Sequence, residues 1–221
     1  MIAYLFWHRA YPTTTVEQYE EALMRFQQRL GQQQPPGFGG SASFRVAALL
    51  WLGNRPGYED WCLLDGSWAL DPLNAFAVAG AVMSAHDAAA ALMEEGHGGL
   101  YALVWGEPAL PERSTTVWLT RPRGIQWRPV LDTVRQQFPQ TTLWRRQMVL
   151  GPGKEFALWA SMSLHHRVGP RSLPSGCVSM RSRRAPATLQ IRTPLLVPRH
   201  QNGIPVDQNI RRASGELVAK D

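Results

Sequence analysis

All 21 aromatic residues of this 221-residue chain lie at or before Trp159, so the large side chains that build a dense core are confined to that part. The 62 residues after it contain none, where the chain's own average would place about six. Six prolines (Pro170, Pro174, Pro186, Pro194, Pro198 and Pro205) and seven serines interrupt that stretch. Ordering costs ~1–2 kcal/mol per residue, and a segment without large apolar groups has little to offset it. Disorder is therefore the expectation for a tail at 161–221. Charge divides at the same place. Residues 1–159 hold 13 Lys/Arg against 14 Asp/Glu, net −1, and residues 160–221 hold 10 against 3, net +7. The basic character belongs to the tail alone, which weakens a nucleic-acid reading of the folded part. Two origins stay open for the tail: a natural basic extension, or an out-of-frame one.

Within the aromatic part, Ile2 to Arg9 alternates with both faces apolar: Ile2, Tyr4, Phe6 and His8 on one, Ala3, Leu5, Trp7 and Arg9 on the other. Such a strand belongs inside a sheet. Thr15 with Gln18 forms a capping box, and Val16, Tyr19, Leu23, Phe26 and Leu30 lay one apolar stripe along the helix that follows. Strands are expected at 41–47 and 58–65, joined by the Gly53-to-Gly57 turn. Asp71-Pro72 opens a helix to about Met83, and Ser84 with Asp87 caps a second from His86 to Glu95. Gly99 to Trp105 is the next strand. The order β-α-β-β-α-β is that of a ferredoxin-like unit, an antiparallel four-stranded sheet with helices on one face.

After a linker at 106–113 the pattern begins again. A strand at 115–121, a helix at 126–138 and strands at 141–150 and 155–160 are expected, and Trp127, Leu131, Val134 and Phe138 repeat the spacing of Tyr19, Leu23, Phe26 and Leu30. The second helix and last strand have no counterpart before the tail. The expectation is thus an α+β fold in three segments. They are a ferredoxin-like unit at 1–106, an incomplete second α+β unit at 107–160 packed on it, and a disordered basic Pro/Ser/Arg-rich tail at 161–221.

The chemistry-bearing residues are few. His8, inside an aromatic strand, has the residue type of a general base or a haem or metal ligand. His97, between Gly96, Gly98 and Gly99, is expected at a helix C-terminus where the backbone allows close approach of a ligand. Trp7 and Trp61 join these two as candidate pocket residues. His86 and Asp87 are expected at a helix start, with His86 facing solvent. No histidines stand at i, i+4, and no Cys pair lies near a His, so a zinc signature is missing. Cys62 and Cys177 read as free thiols of a reducing compartment. Neither GxGxxG, P-loop nor GxSxG occurs, which disfavours dinucleotide, nucleoside-triphosphate and serine-hydrolase chemistry. Arg121, Arg123, Arg128, Arg145 and Arg146 lie too scattered in side-chain direction for one basic patch. The longest uncharged apolar run, 72–85, has 14 residues, short of the ~20 that cross a bilayer. The early His8 and Arg9 do not fit a signal peptide. A cytoplasmic protein without a membrane partner is the expectation.

The aromatic strand Ile2–Arg9 and the amphipathic helix Val16–Leu30, in this strand-helix-strand order, resemble the dimeric α+β-barrel superfamily over residues 1–160. There, two ferredoxin-like units from two chains or one duplicated chain pack sheet to sheet. The resemblance implies company that includes haem-degrading and quinol-forming monooxygenases, chlorite-dismutase-like haem proteins and proteins without known catalysis. It carries over no ligand residue, and the cofactor stays unknown. The leading expectation is a pocket for a small aromatic or haem-like ligand between sheet and helices, lined by Trp7, Trp61, His8 and His97. A homodimerising domain without catalysis is the alternative. Nucleic-acid binding through the tail is a third, resting on composition alone.

Overall fold

The structure is a computed structural model that describes residues 1–108, 110, 114–121, 124–148, 153–161 and 188–194. The first unit runs β1 (Ile2–Ala10), α1 (Val16–Gln33), β2 (Phe38–Leu49), β3 (Arg55–Leu64), α2 (Leu70–Ala77), α3 (Gly80–Ala90) and β4 (Met93–Trp105). The second runs β5 (Ser114–Leu119), α4 (Trp127–Gln137), β6 (Thr142–Met148), β7 (Phe156–Ser161) and β8 (Thr188–Pro194). Helix α1 starts where the capping box put it: the Thr15 hydroxyl accepts from Gln18 N and the Gln18 side chain accepts from Thr15 N, each at 3.2 Å.

All neighbouring strands are antiparallel and close into one barrel in the order β1-β3-β2-β8-β5-β7-β6-β4. Read by unit, this is β4-β1-β3-β2 followed by β8-β5-β7-β6, the same permutation twice. The seams are β2 against β8 and β4 against β6, so both edges of each four-stranded sheet are paired within the chain. Strand β1 lies between β3 and β4, the inner position that its two apolar faces require.

The tail departs from its reading in one place. Strand β8 pairs with both β2 and β5 and supplies the fourth strand of the second unit. Two neighbouring strands with free backbone groups are enough to recruit a segment whatever its composition. The rest of the tail, and the stretch between β7 and β8 where a second helix would stand, lie outside the described residues.

The second helical part also needs correction. Helix α2 ends at Ala77, α3 starts at Gly80 (φ 54°, in the left-handed region), and β4 already begins at Met93. Glu94 to Gly98 is therefore strand, and His97 stands opposite Trp7 on β1 instead of at a helix end. The cause is steric. A Cβ on Gly96 would run into the Phe6 ring, one on Gly98 would meet the Tyr4 hydroxyl at 3.0 Å, and one on Gly99 would meet the Trp7 ring at 3.3 Å. These glycines make room for the chain's own aromatic rings.

The barrel interior is a tryptophan core. Trp7, Trp61, Trp118 and Trp144 are buried there with Leu5, Phe44, Tyr101 and Trp159. Trp7 and Trp118 meet edge to face at 5.5 Å between ring centres, an arrangement worth ~0.5–1.5 kcal/mol beyond the area buried. The sequence expectation set Trp7 and Trp61 around a pocket between sheet and helices. Alternation puts both on the opposite face, inside the barrel, where each indole donates a hydrogen bond to the buried Glu59 carboxylate.

Candidate functional site

Outside the barrel, between the first sheet and α1, α2 and α3, lies a cavity of about 540 Å³. That volume falls within the range of small-molecule sites. Each side chain reaches it by simple periodicity. Tyr4, Phe6 and His8 are the outward residues of β1, and Asp60 and Cys62 those of β3. Tyr19, Leu23, Phe26 and Leu30 are the inward stripe of α1. The walls are mostly aromatic and aliphatic.

One polar group of note stands in this apolar setting. His8 and Asp60 are buried, and His8 packs between the rings of Phe6 and Tyr58, with centroids at 5.3 and 5.6 Å. Its Nδ1 lies 2.7 Å from the Tyr19 hydroxyl. Burial, then the charge of Asp60, then Tyr58 push the Tyr19 phenol far above its ordinary pKa, so it stays protonated and donates to Nδ1. With Nδ1 accepting, the neutral imidazole carries its proton on Nε2. Nε2 lies 3.2 Å from Asp60 Oδ1 but off the line of a hydrogen bond, and neither atom has a hydrogen-bond partner. The two form a buried donor–acceptor contact with each other beneath the cavity floor, and neither atom is exposed at its surface.

The neighbouring titratable groups are neutral. Burial, Cys62 and Asp60 raise the Tyr4 phenol to about 12, and burial with Asp60 raises the Cys62 thiol well above its usual range. Cys62 is a protonated, inert thiol. Asp60 is the carboxylate of the floor, and Asp71 adds another to the lining. Lys and Arg are missing from it.

Of the four residues picked from the sequence, only His8 lines this cavity. Trp7 and Trp61 are in the barrel, and His97 pairs with Glu95 at 3.0 Å near the salt bridges of Arg9 with Glu94 and Glu95. The residues missed are Tyr19, Asp60 and His86. A signal for Asp60 was present: Glu59-Asp60 interrupts a strand that is otherwise apolar, so one acid must face each side, and buried acids need partners. His86 had none, because its meaning depends on where α3 begins. Of the described arginines, Arg128 and Arg145 both lie over the Trp127 ring, at 5.5 and 4.9 Å, and Arg121 pairs with Glu155 at 3.3 Å.

No set of three or more metal-ligating side chains converges among the described residues. Haem fits the cavity poorly. His8 has Tyr19 on one nitrogen and a carboxylate oxygen 3.2 Å from the other, leaving no place for iron. The lining offers two carboxylates and no cation for the haem propionates. Among the described residues no helix is long and apolar enough to cross a membrane.

No family model matches the sequence, and neither does any curated protein. Solved structures do match over nearly the whole chain. A candidate monooxygenase from Fusobacterium nucleatum superposes with a TM-score of 0.56 at 10% identity, over 88% of this chain and 92% of its own. A candidate monooxygenase from Lactobacillus acidophilus gives 0.53 at 8% identity, over 88% and 94%. A candidate chlorite dismutase gives 0.52 at 7% identity, over 87% and 94%. Identities this low speak for the fold alone, a closed antiparallel barrel built from two α+β units.

Proposed function

We propose that the cavity of the first unit binds a small, neutral aromatic molecule through a hydroxyl group that donates to the Asp60 carboxylate, which His8 holds in place. The observation that carries this is the buried pair His8 and Asp60, 3.2 Å apart, in the floor of a largely apolar cavity. A buried carboxylate is a strong acceptor, and a ligand hydroxyl seated on this floor donates to it. The His8 imidazole, which Tyr19 orients, holds the carboxylate in place. The absence of Lys and Arg from the lining selects a neutral ligand over an acid.

Titration calorimetry with naphthol tests the reading. Wild-type protein is expected to bind it, Asp60→Asn to lose at least about 10-fold in affinity, and haem titration to leave no protein-bound Soret band. Failure of naphthol and related phenols to bind, or a Soret band on the protein, overturns it.

A further inference from the structure

Helix α3 buries Val82 and Ala89, and His86 stands four residues after the first and three before the second, on the same inward stripe. A stripe position of this kind ordinarily carries an aliphatic side chain. His86 instead lines the cavity, packs edge to face on Phe26 at 5.7 Å, and places Nδ1 3.0 Å from Asp87 Oδ1. The carboxylate holds the ring through Nδ1, which leaves Nε2 as the free atom. No described residue partners it.

The two imidazoles are registered against the same helix. His8 is bonded to Tyr19 and His86 lies on Phe26, seven residues further along α1, which is roughly 10 Å at 1.5 Å per residue. Leu23 lines the cavity from α1, and Tyr4 and Phe6 line it from β1.

We infer that His86 is a second binding residue, and that the ligand is an elongated aromatic molecule with an oxygen at each end: one at His8 and Asp60, the other at His86 Nε2. This rests on the binding reading above and adds the ligand's second polar group. The break at Gly80 is what delivers His86, because a helix continuing straight from α2 would aim that stripe elsewhere.

Calorimetric titration with naphthol and with a naphthalene diol bearing hydroxyls at opposite ends decides it. The diol is expected to bind wild type about 5-fold more tightly than naphthol, the size of one modest hydrogen bond. His86→Ala should remove that advantage and leave naphthol unchanged, and His86→Gln should restore part of it. His86 is partly exposed, so these variants should keep the wild-type urea midpoint. If the diol gains nothing over naphthol, or His86→Ala weakens both equally, the second anchor is overturned while the binding reading stands. If neither ligand binds wild type, both fall together.

Discussion

The two units share one topology and treat their outer sheet faces in opposite ways. In the second unit the outward residues Val117, Leu119, Leu143, Phe156 and Leu158 close directly on Val130, Leu131 and Val134 of α4 and on Phe138 just after it. In the first unit the corresponding cross-strand pairs are Tyr4 with Cys62, Phe6 with Asp60 and His8 with Tyr58, and a cavity separates them from the helices. The backbone permits either outcome. Side chains at alternate strand positions decide whether the space beneath the helices becomes core or site.

The comparison breaks most easily at the filled side. Leu158→Ala should cost about 2–5 kcal/mol in urea unfolding, because it opens a void in a closed cluster. Leu23→Ala, bordering an existing cavity, should cost clearly less; an equal loss would mean that the cavity is collapsed in solution.

Next in size is the polar floor. Asp60→Ala should destabilise by about 1–3 kcal/mol, since it removes the carboxylate 3.2 Å from the buried His8 Nε2. Replacing both partners, His8→Leu with Asp60→Leu, makes the first unit resemble the second. The double variant should match or exceed wild-type stability while losing naphthol binding. Retained binding in that variant would separate the ligand from the floor altogether.

The smallest effect is seen only at alkaline pH. All five tyrosines lie in the first unit. Burial first, with neighbouring negative charge, raises Tyr4 and Tyr58 from 10.0 to about 12, so the folded state holds these protons more tightly than the unfolded state. Their contribution is complete below pH 10 and is lost as pH rises from about 10 towards 12. In a Tyr11→Phe variant, which removes the one exposed tyrosine, ultraviolet titration should show phenolate absorbance appearing late and together with unfolding. Ionisation near pH 10 in the folded protein would place these phenols in water.

Where α3 begins is the clearest case of something the sequence did not disclose. Ser84 and Asp87 are good capping residues and pointed to a helix starting at His86, yet α3 runs through both from Gly80. Cap preferences amount to ~1 kcal/mol, and packing of Val82 and Ala89 outweighs them. The glycines around His97 were likewise ambiguous, because room for a ligand and room for Phe6 and Tyr4 look the same along the chain.

The sequence by itself determined which residues share a face. Period-two alternation in β1 and the three-and-four spacing in α1 and α4 depend only on backbone geometry, so those elements and the repeated order of the two units were readable. It also determined that the aromatic core ends at Trp159. Tertiary structure alone decided which face looks into the barrel and which onto helices, and with that the fate of Trp7, Trp61, Glu59 and Asp60. It alone recruited Thr188–Pro194, since a strand that completes a barrel is selected by the free hydrogen-bonding groups of its neighbours and not by its own composition.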